Sequence, residues 1–323
     1  MNKLYNVAGH VFQVVMPSGH GLWNCMQNYS PFEVQQGNPL FTLTVLKEPY
    51  SDPVETPIYT ETPERPDMPR VTVYRGPQWW AFSMRATSGS PQAFLLRTTP
   101  DFSQATLSLR PGNEFHVFAL NNSLMLLYTM NTTALDTLAM HASVVMKDGK
   151  GYMFLGTSGT GKSTHSRMWL ENIPGTELLN DDNPVLRILP DADGKPMAMV
   201  YGSPWSGKTP CYKNKQVPVG AIIQIRRCSH NELVRQNIVE AYAALLMSCS
   251  GLKFREESVD QLNATQSKLL ASVPFYFMDC LPNADAARVC YTDLPILGTA
   301  LDSVCVISHA ESDRFHQAHY LLQ

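Results

Sequence analysis

The stretch GYMFLGTSGTGKSTHSRMWLENI, residues 151–173, constrains the fold more than any other part of the chain. A buried-strand run leads into three glycines, Gly156, Gly159 and Gly161, and about three turns of helical pattern follow before Pro174-Gly175. Backbone amides can wrap an anion only under three conditions: side chains stay clear, the chain turns sharply, and a helix N-terminus aims its free N–H groups inward. Ser158 and Thr160 are small and no proline intervenes, so GTSGTGKS at 156–163 meets those conditions and fits the phosphate-loop pattern G-x-x-x-x-G-K-[ST]. Gly156, Ser158, Gly159, Thr160 and Gly161 are then the expected cradle of a nucleotide triphosphate. Lys162 is expected to bridge its β- and γ-phosphates and Ser163 to place a hydroxyl on Mg²⁺, with Thr164 as a further contributor.

A second stretch, GSPWSGKT at 202–209, fits the same pattern letter for letter. It carries Pro204 and bulky Trp205 inside the loop, and Pro210 and Pro218 leave no room for a long helix after it. The expectation is a tight turn that can lend Lys208 to the site formed by the first loop.

A metal held by one hydroxyl and by phosphate needs a carboxylate, typically at the C-terminal end of a neighbouring strand. TELLNDDNPVLRIL supplies Asp181 and Asp182 between two apolar runs. On extended backbone, adjacent carboxylates point to different sides, so one can reach the metal while the other faces an incoming hydroxyl. D-D-N-P is also a turn-forming sequence, and that plainer reading stays open. His141, upstream of the loop, is either an accessory group or a structural histidine. Arg226 and Arg227, at the end of VGAIIQI, are either phosphate contacts or a solvated strand end.

Elsewhere the chain reads as two domains. Short apolar runs separated by Gly, Pro and Asn make residues 1–130 a β-rich domain, interrupted at 49–69 by an acidic loop with six prolines. At LMLLYTMNTTALDTLAMHASVVM the spacing turns helical, and residues 131–323 alternate strands with helices. Asp148-Gly149 between two apolar runs predicts a hairpin, so the strand entering the glycine loop should have an antiparallel neighbour. Net charge is −3, with no block of Lys or Arg, which argues against nucleic acid and anionic lipid as partners. No long apolar run or secretory layout is present, and seven scattered cysteines suit a reducing cytosol, where each reads as a small buried hydrophobe. The expected compartment is cytoplasmic.

Taken together, MHASVV, GYMFLGTSGTGKSTHS, LLNDDNPVLR and YGSPWSGK, in that order, resemble the catalytic domain of the HPr kinase/phosphorylase family, which is related to the PEP carboxykinases. The resemblance covers roughly residues 135–310. It implies an α/β (α+β) P-loop kinase domain with a mixed sheet, beside the β-rich N-terminal domain. It also implies ATP- and Mg²⁺-dependent phosphorylation of a hydroxyl, usually a serine of a protein or peptide. By the same resemblance Lys162 and Ser163 match the phosphate and metal positions, Asp181 or Asp182 the general base, and His141 a histidine just upstream of the loop. Thr164 stands where HPr kinases carry Glu, so the implied enzyme is a relative and not an HPr kinase itself. The set of metal ligands and arginines that carboxykinases use is not identifiable here. A small-molecule acceptor, such as an amino acid or sugar, and a nucleotide-sensing module without transfer are the alternatives.

Overall fold

The computed structural model describes residues 1–17, 21–51, 53–61, 69–87, 89–112, 115–207, 209–251 and 255–295. Its contacts form two units, one from residues 1–135 together with 251–259, the other from 136–250 and the described part of 260–320.

In the first unit the alternating apolar runs become β1 (Asn2–Val7), β2 (His10–Val15), β3 (Glu33–Val34), β4 (Thr42–Val45), β5 (Tyr59–Thr60), β6 (Arg70–Gly76), β7 (Trp79–Arg85), β8 (Gln92–Thr98) and β9 (Gln104–Leu109). They form one sheet in the order β3-β1-β2-β4-β9-β8-β7-β6-β5, parallel only at β2/β4 and β4/β9. Helix α1 (His116–Thr132) is part of this unit, and its Tyr128 hydroxyl donates to the Val7 carbonyl at 3.1 Å. Around that bond the stacked Phe12 and Phe41 rings and the edge-on Tyr29 ring form an aromatic core. Two local expectations are corrected. The proline-rich stretch does admit a regular element, the two-residue β5, because Tyr59 and Thr60 lie clear of Pro57 and pair with β6. Pro63 and Pro66 lie outside the described residues. The helical spacing read from Leu124 to Met146 ends at Thr132, where a helix with ten buried residues gives way to strands.

The second unit contains β10 (Thr137–Ala139), β11 (Ala142–Lys147), β12 (Lys150–Leu155), α2 (Lys162–Asn172), β13 (Glu177–Asp182), β14 (Val185–Pro190), β15 (Pro196–Tyr201), β16 (Gln216–Arg227), β17 (Glu232–Arg235), α3 (Ile238–Ser248), α4 (Glu256–Ser272, whose first turn belongs to the first unit), β18 (Phe275–Cys280) and α5 (Ala284–Thr292). Asp148 and Gly149, at φ +50° and +73°, close the predicted hairpin between β11 and β12. Strand β16 pairs with three strands. Its start pairs antiparallel with β15, and its later residues pair parallel with β12 and β18. The architecture is therefore mixed α+β, with mixed sheets and a majority of strands.

Alternation along β16 sends Ile222 to one face and Ala221, Ile223 and Ile225 to the other. Leu245 of α3 and Leu262 and Leu269 of α4 cover the first face, while Trp169 of α2 and Ala286 and Cys290 of α5 cover the second. The pairings also fix direction. Strands β12, β16 and β18 are mutually parallel, and β13 runs with them because both β12 and β13 lie antiparallel to β11. One edge of the sheet thus collects four strand C-termini and the start of β11, the position where ligands settle in open α/β sheets.

Candidate functional site

At that edge β12 ends and residues 156–161 turn into α2. Gly156, Gly159 and Gly161 take φ of +149°, +81° and +119°, which only glycine adopts without strain. Gly161 is the N-cap of α2 and supplies no side chain to its first turn, so the helix's leading N–H groups are left for another acceptor. Ser158 and Gly159 are exposed, Thr160 half-buried, Ser163 exposed and Thr164 half-buried. Thr157 and Thr160 share a hydroxyl–hydroxyl hydrogen bond of 2.8 Å across the loop.

Lys162 behaves differently from its neighbours. Its side chain folds back under the loop, donating to the Gly156 carbonyl at 2.8 Å and the Thr157 carbonyl at 3.4 Å, and lies 2.8 Å from His141 Nε2. Burial pushes its pKa down from 10.5 to about 8, opposed by the carboxylates of Asp182 and then Asp181. His141, placed just before β11 by its N–H bond to the Ser248 carbonyl at 2.7 Å, turns its other nitrogen toward Asp182. Nδ1 lies 3.1 Å from Asp182 Oδ1, off-line for a regular hydrogen bond. Because an ammonium can only donate to Nε2, the ring carries its proton on Nδ1, facing the carboxylate. Lys162, His141 and Asp182 therefore form one chain from the glycine loop to the end of β13.

Asp181 is buried, and Asp182 takes φ +156°, a conformation L-residues rarely adopt. The turn after them is clamped on both sides. Asn180 Oδ1 accepts from Asn183 N at 2.9 Å, Asn180 Nδ2 donates to Ser203 Oγ at 3.1 Å, and Ser203 Oγ donates to the Asn183 carbonyl at 2.5 Å. The second motif supplies this clamp. Among the described residues no helix lies between it and β16, Trp205 is buried, and Gly207 N donates to the Asp181 carbonyl at 2.7 Å. A Cβ at Gly207 would lie 3.0 Å from the Asp181 carbonyl oxygen and 3.2 Å from Asp182 Cβ, a close approach that a side chain there could make only if these neighbours shifted by a few tenths of an ångström. Lys208 lies outside the described residues.

Arg227, for which a solvated strand end was one reading, holds the glycine loop. Its Nε donates to the Thr160 carbonyl at 3.0 Å and its terminal nitrogen to the Gly159 carbonyl. Arg226 turns away to Asp279. Beside the loop, between α2 and the ends of β16 and β18, opens a cavity of about 300 Å³ walled by Gly161, Thr164, Met168, Ile225, Leu281 and Pro282. His165, also in α2, is structural. It accepts from Trp169 Nε1 at 3.1 Å, and burial lowers its pKa to about 4, so it stays neutral.

The described residues therefore bring Lys162, His141 and Asp182 into contact and hold Asp181 on the same strand end. Asn180, Ser203 and Gly207 escaped sequence reasoning because their role depends on a contact between segments more than 20 residues apart. Comparison with known proteins gives no match to any family model and none to a curated protein sequence.

Proposed function

We propose that the protein is an ATP-dependent kinase that transfers the γ-phosphoryl group to a hydroxyl, most simply a serine of a protein or peptide. The observation that carries this reading is the chain from Lys162 through His141 to Asp182, which links the glycine loop to the end of β13 where the two aspartates stand. In a P-loop kinase of the HPr kinase-like type, the loop amides and the N-terminus of α2 hold the phosphates while Lys162 neutralises the transferring group.

Fit to a triphosphate is supported by three positive-φ glycines, a helix start without a side-chain cap and a buried lysine facing two aspartates. Ser163 with Asp181 or Asp182 offers the all-oxygen donors that Mg²⁺ requires, and the ion would supply charge neutralisation at the β- and γ-oxygens. On binding, Lys162 exchanges its bonds to the Gly156 and Thr157 carbonyls for phosphate oxygens. His141 stands between Lys162 and the Asp182 carboxylate, with Nδ1 facing Asp182 Oδ1. One carboxylate of the 181–182 pair accepts the acceptor hydroxyl's proton as the oxygen attacks in line, while the clamp from Asn180 and Ser203 holds the pair in place.

The test is incubation of the protein with γ-labelled ATP and separate pools of peptides and metabolites. Label in peptides, lost in Asp181→Asn or Asp182→Asn with nucleotide binding kept, is the expected result. Label confined to metabolites would replace the acceptor class, and no label in either pool would defeat the kinase reading.

A further inference from the structure

A second group of side chains stands on the same sheet edge, outside the chain of Lys162, His141 and Asp182. Cys228 follows β16, His230 lies in the turn to β17, and Asp279 is the penultimate residue of β18. A sulfur, a ring nitrogen and a carboxylate oxygen from these three lie within 4.8 Å of one another. Cys228 Sγ and His230 Nδ1 are 3.3 Å apart. The turn carrying them is fixed to the end of β18. Cys228 N donates to the Cys280 carbonyl at 3.2 Å, Leu281 N to Asn231 Oδ1 at 2.9 Å, and Asn231 Nδ2 to Asn283 Oδ1 at 3.1 Å.

The surrounding contacts are those a metal site needs. A ligating imidazole usually gives its other N–H to a carboxylate, and ligating carboxylates are themselves hydrogen-bonded. His230 Nε2 lies 3.4 Å from Glu232, which the β17/β18 register places opposite Asp279. Asp279 takes both prongs of the Arg226 guanidinium, at 2.5 and 2.7 Å, and Arg226 is in turn seated over the Phe277 ring. Each Asp279 oxygen retains a lone pair beyond the arginine bond.

We propose that Cys228, His230 and Asp279 form a site for a borderline-soft divalent cation of the zinc type, with one coordination position left open. A mixed sulfur, nitrogen and oxygen donor set favours such an ion over Mg²⁺ or Ca²⁺, which take oxygen ligands. The step balances without a further reactant. The Cys228 S–H bond breaks, the sulfur pair goes to the metal and the proton to solvent, and His230 binds through Nδ1 while its Nε2–H faces Glu232. Thiolate, Asp279 and Glu232 together offset the dication and Arg226. Cys228 also lines the cavity beside the glycine loop, so a cation held there would abut it. The inference does not depend on the kinase reading, since neither nucleotide nor transfer enters it.

Cobalt(II) is the probe. The full chain, freed of metal with a chelator, should develop a near-ultraviolet sulfur-to-cobalt charge-transfer band that saturates at one equivalent and is bleached by zinc. Cys228→Ser should remove the band. Glu232→Gln should weaken cobalt binding about 10–100-fold, the usual effect of losing a carboxylate that orients a ligand, and His230→Ala, which removes a ligand outright, should weaken it at least as much. No band in the wild-type chain, or an undiminished band in Cys228→Ser, would overturn the proposal. Should Cys228→Ser fail to fold, His230→Ala decides, because the His230 side chain is 54% exposed and can be truncated without cost to a core; cobalt binding as tight as wild type in that variant would also overturn it.

Discussion

The lysine beneath the glycine loop is the residue on which the functional reading turns. A lysine held by two carbonyls and an imidazole nitrogen remains charged only while pH stays below its depressed pKa of about 8. A triphosphate binds the ammonium form, so bound phosphate raises this pKa, and binding takes up a proton only near and above about pH 8, where the free lysine is partly neutral. Nucleotide affinity should therefore be level below about pH 8 and fall as pH rises through it. Titration of a fluorescent nucleotide analogue across that range checks this, and an affinity flat through it would contradict the placement of Lys162. The same shift has a consequence for stability with its own sign. The depressed folded pKa means the unfolded chain binds more protons between about 8 and the ordinary 10.5, so this group's contribution to stability is least below 8 and rises across that window.

Among the elements, the segment 202–207 shows how a motif can match by letters and serve another purpose. Gly202 donates its N–H to the Lys215 carbonyl at 3.0 Å, and a Cβ on it would run into the Lys213 carbonyl oxygen. Gly202→Ala should therefore push the segment away from the Lys213 backbone and cost about 1–3 kcal/mol or more, as overpacking against backbone does. Chemical denaturation of the variant measures it, and unchanged stability would count against this packing. Much of this region was legible from the chain. The strand–glycine loop–helix succession, the Asp148-Gly149 hairpin and the lack of a helix after Thr209 are local properties, set by backbone freedom and apolar spacing. The grip of Arg227 on the loop was not, since it requires β16 to pair beside β12 and brings Arg227 to Thr160, 67 residues earlier in the chain. The meeting of Cys228 and His230 with Asp279 depends likewise on β18 pairing with both β16 and β17.

At the scale of the molecule, the chain does not pass from one unit to the next only once. After α3 it returns residues 251–259 to the first unit before α4 continues into the second. Arg255 is the contact that makes this return matter, its guanidinium lying 5.1 Å from the Phe102 ring centroid and 5.9 Å from that of Trp80. Arg255→Ala should lower the stability of the first unit by about 0.5–1 kcal/mol, with tryptophan fluorescence as the readout; a variant as stable as wild type would mean the return is incidental. No described helix is long and apolar enough to cross a membrane.

A crystal structure of the protein with a non-hydrolysable ATP analogue and Mg²⁺ tests the central claim most directly. The account predicts phosphates wrapped by residues 156–163, with the Lys162 ammonium moved from the Gly156 carbonyl onto the terminal phosphate and Asp181 and Asp182 facing it. Nucleotide bound elsewhere, or a lysine still under the loop with the phosphates in place, would contradict it.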